Sequence, residues 1–189
     1  MENRRRSGFG SFLKFIIMLA LLSAVGFVGY KTYQKLPVVT FVNELAQAAD
    51  ELDMDKLSNC FTPDSDVRKA LEVANTIEGI PILGKLAEGA VSFIGSRFDY
   101  QVDYSDIRIT VNGDTSAAII GVIDKNKNDR KSYVTLNLIR IDNRWYITEL
   151  PAVQPVTEVD LSYGNTLWGY AERASDYTAL LIFSAKNKA

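Results

Sequence analysis

The segment RFDYQVDYSDIRITV, Arg97 to Val111, decides the fold. Apolar and polar residues alternate through Phe98, Tyr100, Val102 and Tyr104, then again through Ile107, Ile109 and Val111, which is the period-two pattern of a half-buried strand. The parity of the two sets differs. One extra residue near Ser105 and Asp106 would restore a single buried face, so the pattern predicts a β-bulge there, bending the strand and giving the sheet a concave side. Working outward, Asn112-Gly113 reads as a two-residue hairpin turn, because both residues tolerate positive φ. Ala117 to Ile123 is a second strand whose small Ala117, Ala118 and Gly121 allow a helix to approach closely. A polar loop from Asp124 to Arg130 leads to a third strand, Tyr133 to Ile141. Asp142-Asn143 is another tight turn, and Trp145-Tyr146-Ile147 carries a fourth strand to Glu149.

Helices precede this meander. Pro37 can open a helix, and Val38, Phe41, Val42, Leu45, Ala49 and Leu52 follow at three-to-four spacing. Asp53 is an N-cap for a short turn through Leu57, Cys60 and Phe61 that Thr62-Pro63 ends. A third stripe runs from Val67 through Leu71 to Ile77, with Gly79 as its stop, and a fourth follows Pro81 from Leu83 to Ile94. Beyond the strands, Pro151 and Pro155 mark a linker. Leu167, Ala171, Ala174, Tyr177 and Leu181 then have helical spacing. The expected class is α+β: an N-terminal transmembrane helix, then helices packed on a curved four-stranded antiparallel sheet, cone-like in shape. The expected division is a basic tail and anchor over 1–36, the cone over 37–150, and a linker with a C-terminal segment over 151–189.

Charge is distributed unevenly. Residues 1–36 hold six basic residues against Glu2, a local charge of +5, so the rest of the chain carries −7 within a net charge of −2. An acidic body with no concentrated basic face excludes nucleic acid as a partner. Between Lys14 and Lys31 the sixteen residues Phe15 to Tyr30 are uncharged. With both lysines snorkelling, a helix from Phe12 to Tyr33 is about 33 Å long, enough to cross a hydrocarbon core. Phe15 and Tyr30 are the ends of this membrane anchor. Arg4, Arg5 and Arg6 would remain cytoplasmic and place the body outside. A cleaved signal peptide has the same outline, but aromatic Phe27, Tyr30 and Tyr33 follow the small-x-small site Ala24-Val25-Gly26, so an uncleaved anchor is expected.

The plan of helices followed by a bent meander, with the Asp53-x-x-Lys56-Leu57 step and the closing Asn143-Arg-Trp-Tyr-Ile147 stretch, resembles the nuclear transport factor 2-like cone, also called cystatin-like. The likeness covers Pro37 to Leu150. It implies an exported bacterial domain of a class that hosts isomerases, dehydratases, transport adaptors and secretion scaffolds, so the fold supplies no single activity.

The remaining motifs favour plain readings. Gly79 to Lys85 matches seven positions of a phosphate-binding loop, but Leu86 replaces the required hydroxyl and a helix precedes it instead of a strand. Asp124-Lys-Asn126-Lys-Asn128 opens like a calcium loop, yet Asp129 replaces its glycine and Thr135 its bidentate glutamate. The chain has no histidine, which removes the commonest general base and the commonest transition-metal ligand. Cys60 is the only cysteine and reads as a small apolar filler. Asp99, Asp103 and Asp106 beside Tyr100 and Tyr104 allow an aspartate base with a tyrosine donor, but alternation puts Asp99 and Asp103 on the face opposite the tyrosines. A cavity in the cone would be lined by Tyr100, Tyr104 and Trp145. No catalytic residue, metal or cofactor is expected. The expected function is a membrane-anchored extracytoplasmic interaction or scaffold module of the bacterial cell envelope, with the membrane and other envelope proteins as partners. The alternatives are a binder of a small apolar ligand in the cone and an isomerase or dehydratase. Ala20 and Ala24, four apart, would let two anchors approach closely and form a homo-oligomer.

Overall fold

The computed structural model describes residues 7–51, 53–76, 100–124, 130–155 and 162–186. The expected stop at Gly79, the fourth helical stripe, the glycine-rich stretch from Gly79, the centre of the 124–130 loop and the Arg4 to Arg6 cluster lie outside them. The element order is α1 (Ser7–Asp50), α2 (Met54–Ser58), α3 (Asp66–Thr76), β1 (Tyr100–Asn112), β2 (Thr115–Asp124), β3 (Arg130–Ile141), β4 (Arg144–Ile147), β5 (Ala152–Pro155) and α4 (Leu167–Lys186). The class is α+β: a long apolar N-terminal helix, further helices, and an open antiparallel sheet.

α1 is a single helix of 44 residues with Pro37 inside it. Pro37 therefore does not begin a new helix. Its missing N–H leaves only the carbonyl of Tyr33 without its helical donor, and both residues are exposed, so water can take the place of that bond. The helix changes character along its length. Phe12 to Leu22 is exposed on every side, whereas Thr32, Lys35, Val38, Val39, Phe41, Val42, Ala48 and Ala49 are buried. Its most apolar window has a mean hydropathy of 2.3, and by length and composition α1 is able to cross a membrane. Asp53 caps α2 as the sequence predicts, its side chain accepting from the Lys56 N–H at 3.0 Å.

The sheet has five strands, ordered β1-β2-β3-β4, with β5 also paired to β3. The bulge lies where the parity flip puts it, but it is larger than the single residue expected. Asp103 pairs with Gly121 and Ile107 with Ile120, so Tyr104, Ser105 and Asp106 have no partners on β2. Three extra residues flip the parity just as one does. Gly121 does not make room for a helix, as expected, but for this bulge. A Cβ there would lie 3.1 Å from both the Cβ and the carbonyl oxygen of Asp106. The first hairpin turns at Gly113 and Asp114, one residue later than predicted, since Asn112 pairs with Thr115 and Gly113 has φ +61°. Asp142 and Asn143 turn as predicted, with φ of 50° and 64°. The expected linker after Pro151 contains β5. Leu138 faces Ile147 and Thr135 faces Ala152, so β4 and β5 lie end to end along one edge of β3, where prolines are tolerated.

One face of the sheet meets the helices. Ile109, Ala118, Leu136, Leu138, Trp145 and Ile147 pack with Val38, Val42, Leu57, Phe61 and Leu71. The outer edge of β4 is covered by the chain after α2, with the Ile147 N–H donating to the Cys60 carbonyl at 2.8 Å and the Thr62 N–H to Ile147 at 3.2 Å. Cys60 is buried there, its thiol pushed up to about 11 chiefly by burial, which fits the filler reading. α4 is the helix read from Leu167 onward. It lies along α1 and contributes Ala179 to the core.

Candidate functional site

Two ionic clusters flank one cleft. The first joins α1 to α4. Lys35 has a side chain only 1% exposed, and its Nζ donates to Glu172 Oε2 at 2.6 Å and to Ser175 Oγ at 2.8 Å. It also lies 2.7 Å from Asp176 Oδ1, a charge contact at an angle outside hydrogen-bond geometry. Lys31 adds a second contact to Glu172 at 3.1 Å. The hydroxyl of Tyr163 donates to Asp176 Oδ2 at 2.6 Å, and the guanidinium of Arg108 stands 5.2 Å over the Tyr163 ring. Burial pushes the Asp176 carboxyl up, with Lys35 and Tyr163 opposing it. Burial also acts to raise Glu172, but Lys35 and Lys31 hold it below the usual carboxylate range. Tyr163 is pushed far up by burial and then by Asp176, so it stays a protonated donor.

The second cluster sits at the bulge. Lys131 Nζ lies 2.7 Å from Asp106 Oδ2 and 3.1 Å from Asp103 Oδ2, and the Tyr133 hydroxyl donates to Asp106 at 2.5 Å. Hydrogen bonding to Asp106 raises Lys131 against the cost of burial. Tyr133 is pushed up to about 12 by burial and by Asp106. This shift has a measurable sign. The folded phenol keeps its proton from about 10 to about 12, where the unfolded one loses it, so Tyr133 contributes stability that is complete below pH 10 and lost as pH rises through 12. Denaturant titrations over that window should show a shallower loss for Tyr133→Phe than for the wild type.

Between the clusters is a cleft of about 530 Å³, bordered by Asp106 and Arg108 of β1, Tyr163 of the preceding loop, and Arg173, Asp176 and Tyr177 of α4. Gly169 seats this loop. A Cβ there would fall 1.9 Å from the Tyr163 carbonyl oxygen. The Thr166 hydroxyl accepts from the Gly169 N–H at 3.0 Å and starts the helix. Both carboxylates at the cleft already have a lysine and a tyrosine hydroxyl as partners. Held in this way, each aspartate ties two elements together as a structural strut: Asp176 joins α4 to α1 and to the Tyr163 loop, and Asp106 joins β1 to β3. Among the described residues no group of three or more carboxylate or cysteine side chains is placed to hold a metal.

Trp145 is not among the residues that border this cleft. It is 3% exposed in the packed core, with Arg140 5.6 Å over its ring. Tyr100 and Tyr104 lie in β1 by their backbone, and their side chains are outside the described residues, as is Asp99. Asp103 and Asp106 are brought together at Lys131, away from Trp145. Phe15 and Tyr30 are exposed on α1, at 56% and 60%. The sequence reading missed Lys35, Tyr163, Glu172 and Asp176. A signal for three of them was present: Lys31 and Lys35 are four apart, as are Glu172 and Asp176, so each pair lies on one helix face with matching spacing and opposite sign.

No protein-family model matches the chain, and no curated protein matches it. Among solved structures it is similar to a Mycobacterium tuberculosis protein of unknown function, at 13% identity and a TM-score of 0.43, over 82% of this chain and 92% of that one.

Proposed function

We propose that this chain is a membrane-anchored, cone-type interaction or scaffold module of the bacterial cell envelope, with its N-terminus cytoplasmic and the α+β domain outside. The observation that carries this reading is the unbroken α1, whose exposed apolar half continues directly into a half buried in the domain core. Such a rod mounts the domain on the bilayer without a flexible linker. Two further features favour an interaction role over catalysis: the helix-facing side of the sheet is filled with side chains, and the cleft carboxylates are engaged by Lys35 and Lys131. Crosslinking in intact cells, followed by mass spectrometry of the captured proteins, tests the reading directly. Reproducible envelope partners are expected, and capture of none would count against it.

The orientation has its own test. Lys69 is an exposed residue of α3, and the native Cys60 is buried with a raised thiol, so Lys69→Cys supplies the reactive site. It should react with a membrane-impermeant maleimide in whole cells; protection until lysis would reverse the topology. The enzyme alternative is tested at the bulge. Asp103→Asn and Asp106→Asn, alone or together, should leave the cellular phenotype intact. Loss of function in a variant that keeps its wild-type melting temperature and its captured partners would replace the scaffold reading with an enzyme.

A further inference from the structure

α4 stands beside α1 in step with it. Phe27 meets Trp168 edge-on with ring centroids 4.8 Å apart, Lys31 meets Glu172, and Lys35 meets Asp176, so the two helices run parallel. This pairing sets the height of the first turn of α4. Leu167 to Tyr170 stand level with Gly26 to Gly29, the last turn of the apolar run in α1. From Phe12 to Lys31 the helix rises about 28 Å, close to the thickness of a hydrocarbon core. The first turn of α4 therefore lies at the outer boundary of that core, not above it.

What this turn exposes is unusual for a water-facing surface. Leu167 is 75% exposed, Trp168 63% and Tyr170 60%, and on α1 at the same end Tyr30 is 60% and Tyr33 78% exposed. Tryptophan and tyrosine are the residues that gather where headgroups meet acyl chains, because their apolar rings and polar edges suit that boundary. We propose that the first turn of α4 is a second membrane contact, with Leu167, Trp168 and Tyr170 seated in the lipid headgroup and acyl boundary next to Tyr30 and Tyr33. The inference rests on the membrane reading of α1, to which it adds an element far away in sequence. The domain is then held to the bilayer at two points, and the Lys31 and Lys35 ion pairs lie just above the lipid boundary and lock them together.

The protein has two tryptophans, and Trp145 is buried, so Trp168 can be isolated as a reporter. The full chain with Trp145→Phe is reconstituted into phosphatidylcholine vesicles carrying a nitroxide at acyl carbon 5 or carbon 16. Trp168 emission should be quenched at least twofold more strongly by the shallow label than by the deep one. The difference between wild type and Trp168→Phe gives the same quantity with the core unaltered. A control in Trp145→Phe/Trp168→Phe with Leu22→Trp, in the middle of the apolar run, should be quenched most by the deep label. Trp168 unquenched while Leu22→Trp is quenched would overturn the inference and leave the anchor standing. Failure of both reporters would overturn the anchor and the inference together. Trp168 emission that responds to protein density but not to lipid label would make this turn a contact between copies of the chain and overturn the lipid seat.

Discussion

Lys35→Met is expected to lower the stability of the domain by about 3–5 kcal/mol, the range for removing one partner of a buried ion pair. The ammonium is what offsets the burial of Asp176, whose side chain is 3% exposed and retains only the Tyr163 hydroxyl once Lys35 is gone. Glu172 loses less, since it is 31% exposed and keeps Lys31. The companion Lys35→Met/Asp176→Leu should recover most of the loss, because a buried pair replaced by apolar groups of similar size is often neutral or stabilising. Thermal unfolding of the detergent-solubilised chain, read for both variants, gives the answer. A double variant no more stable than Lys35→Met would mean that the surrounding packing, and not charge compensation, sets the cost.

The second large effect is in the core. Trp145→Ala should cost about 3–5 kcal/mol, the loss for truncating a large buried aromatic. The ring is buried between the sheet and the helices, with Arg140 across it. Trp145→Phe should cost much less, because the indole N–H of Trp145 has no hydrogen-bond partner among the described residues and nothing is orphaned when it goes. Equal losses for the two variants would show that a phenyl ring recovers none of the packing and that the site is fitted to the whole indole.

How far these features were legible in the sequence depended on what kind of signal each one leaves. Alternation located the bulge between Val102 and Ile107, yet parity distinguishes only odd from even, so it could not tell one inserted residue from Tyr104, Ser105 and Asp106 together. The Asp142-Asn143 turn was readable because its chemistry is local. Pro37 misled for the converse reason: local rules make it a helix start, whereas the helix is held together on both sides of it by partners distant in sequence. β5 was hidden by Pro151 just before it and Pro155 at its end, since proline is excluded from a central strand but not from an edge one. The site left the faintest trace. Lys35 was counted with the basic stem, and only its spacing from Lys31, matched by Glu172 and Asp176, pointed to a partner helix. Nothing local could say which pair would meet which.

The order in which the chain is made gives the Lys35 contact one more consequence. The lysine leaves the ribosome with the first helix, but Glu172 follows 137 positions later and Asp176 later still. Until then the core can form only around an uncompensated charge, which is costly, or must leave that end of α1 undocked. A helix synthesised long after α1 is thus the one that lets α1 be buried. A chain cut short before α4 would present an unsated lysine and an open helix face, the kind of lesion by which proteases distinguish unfinished products from finished ones.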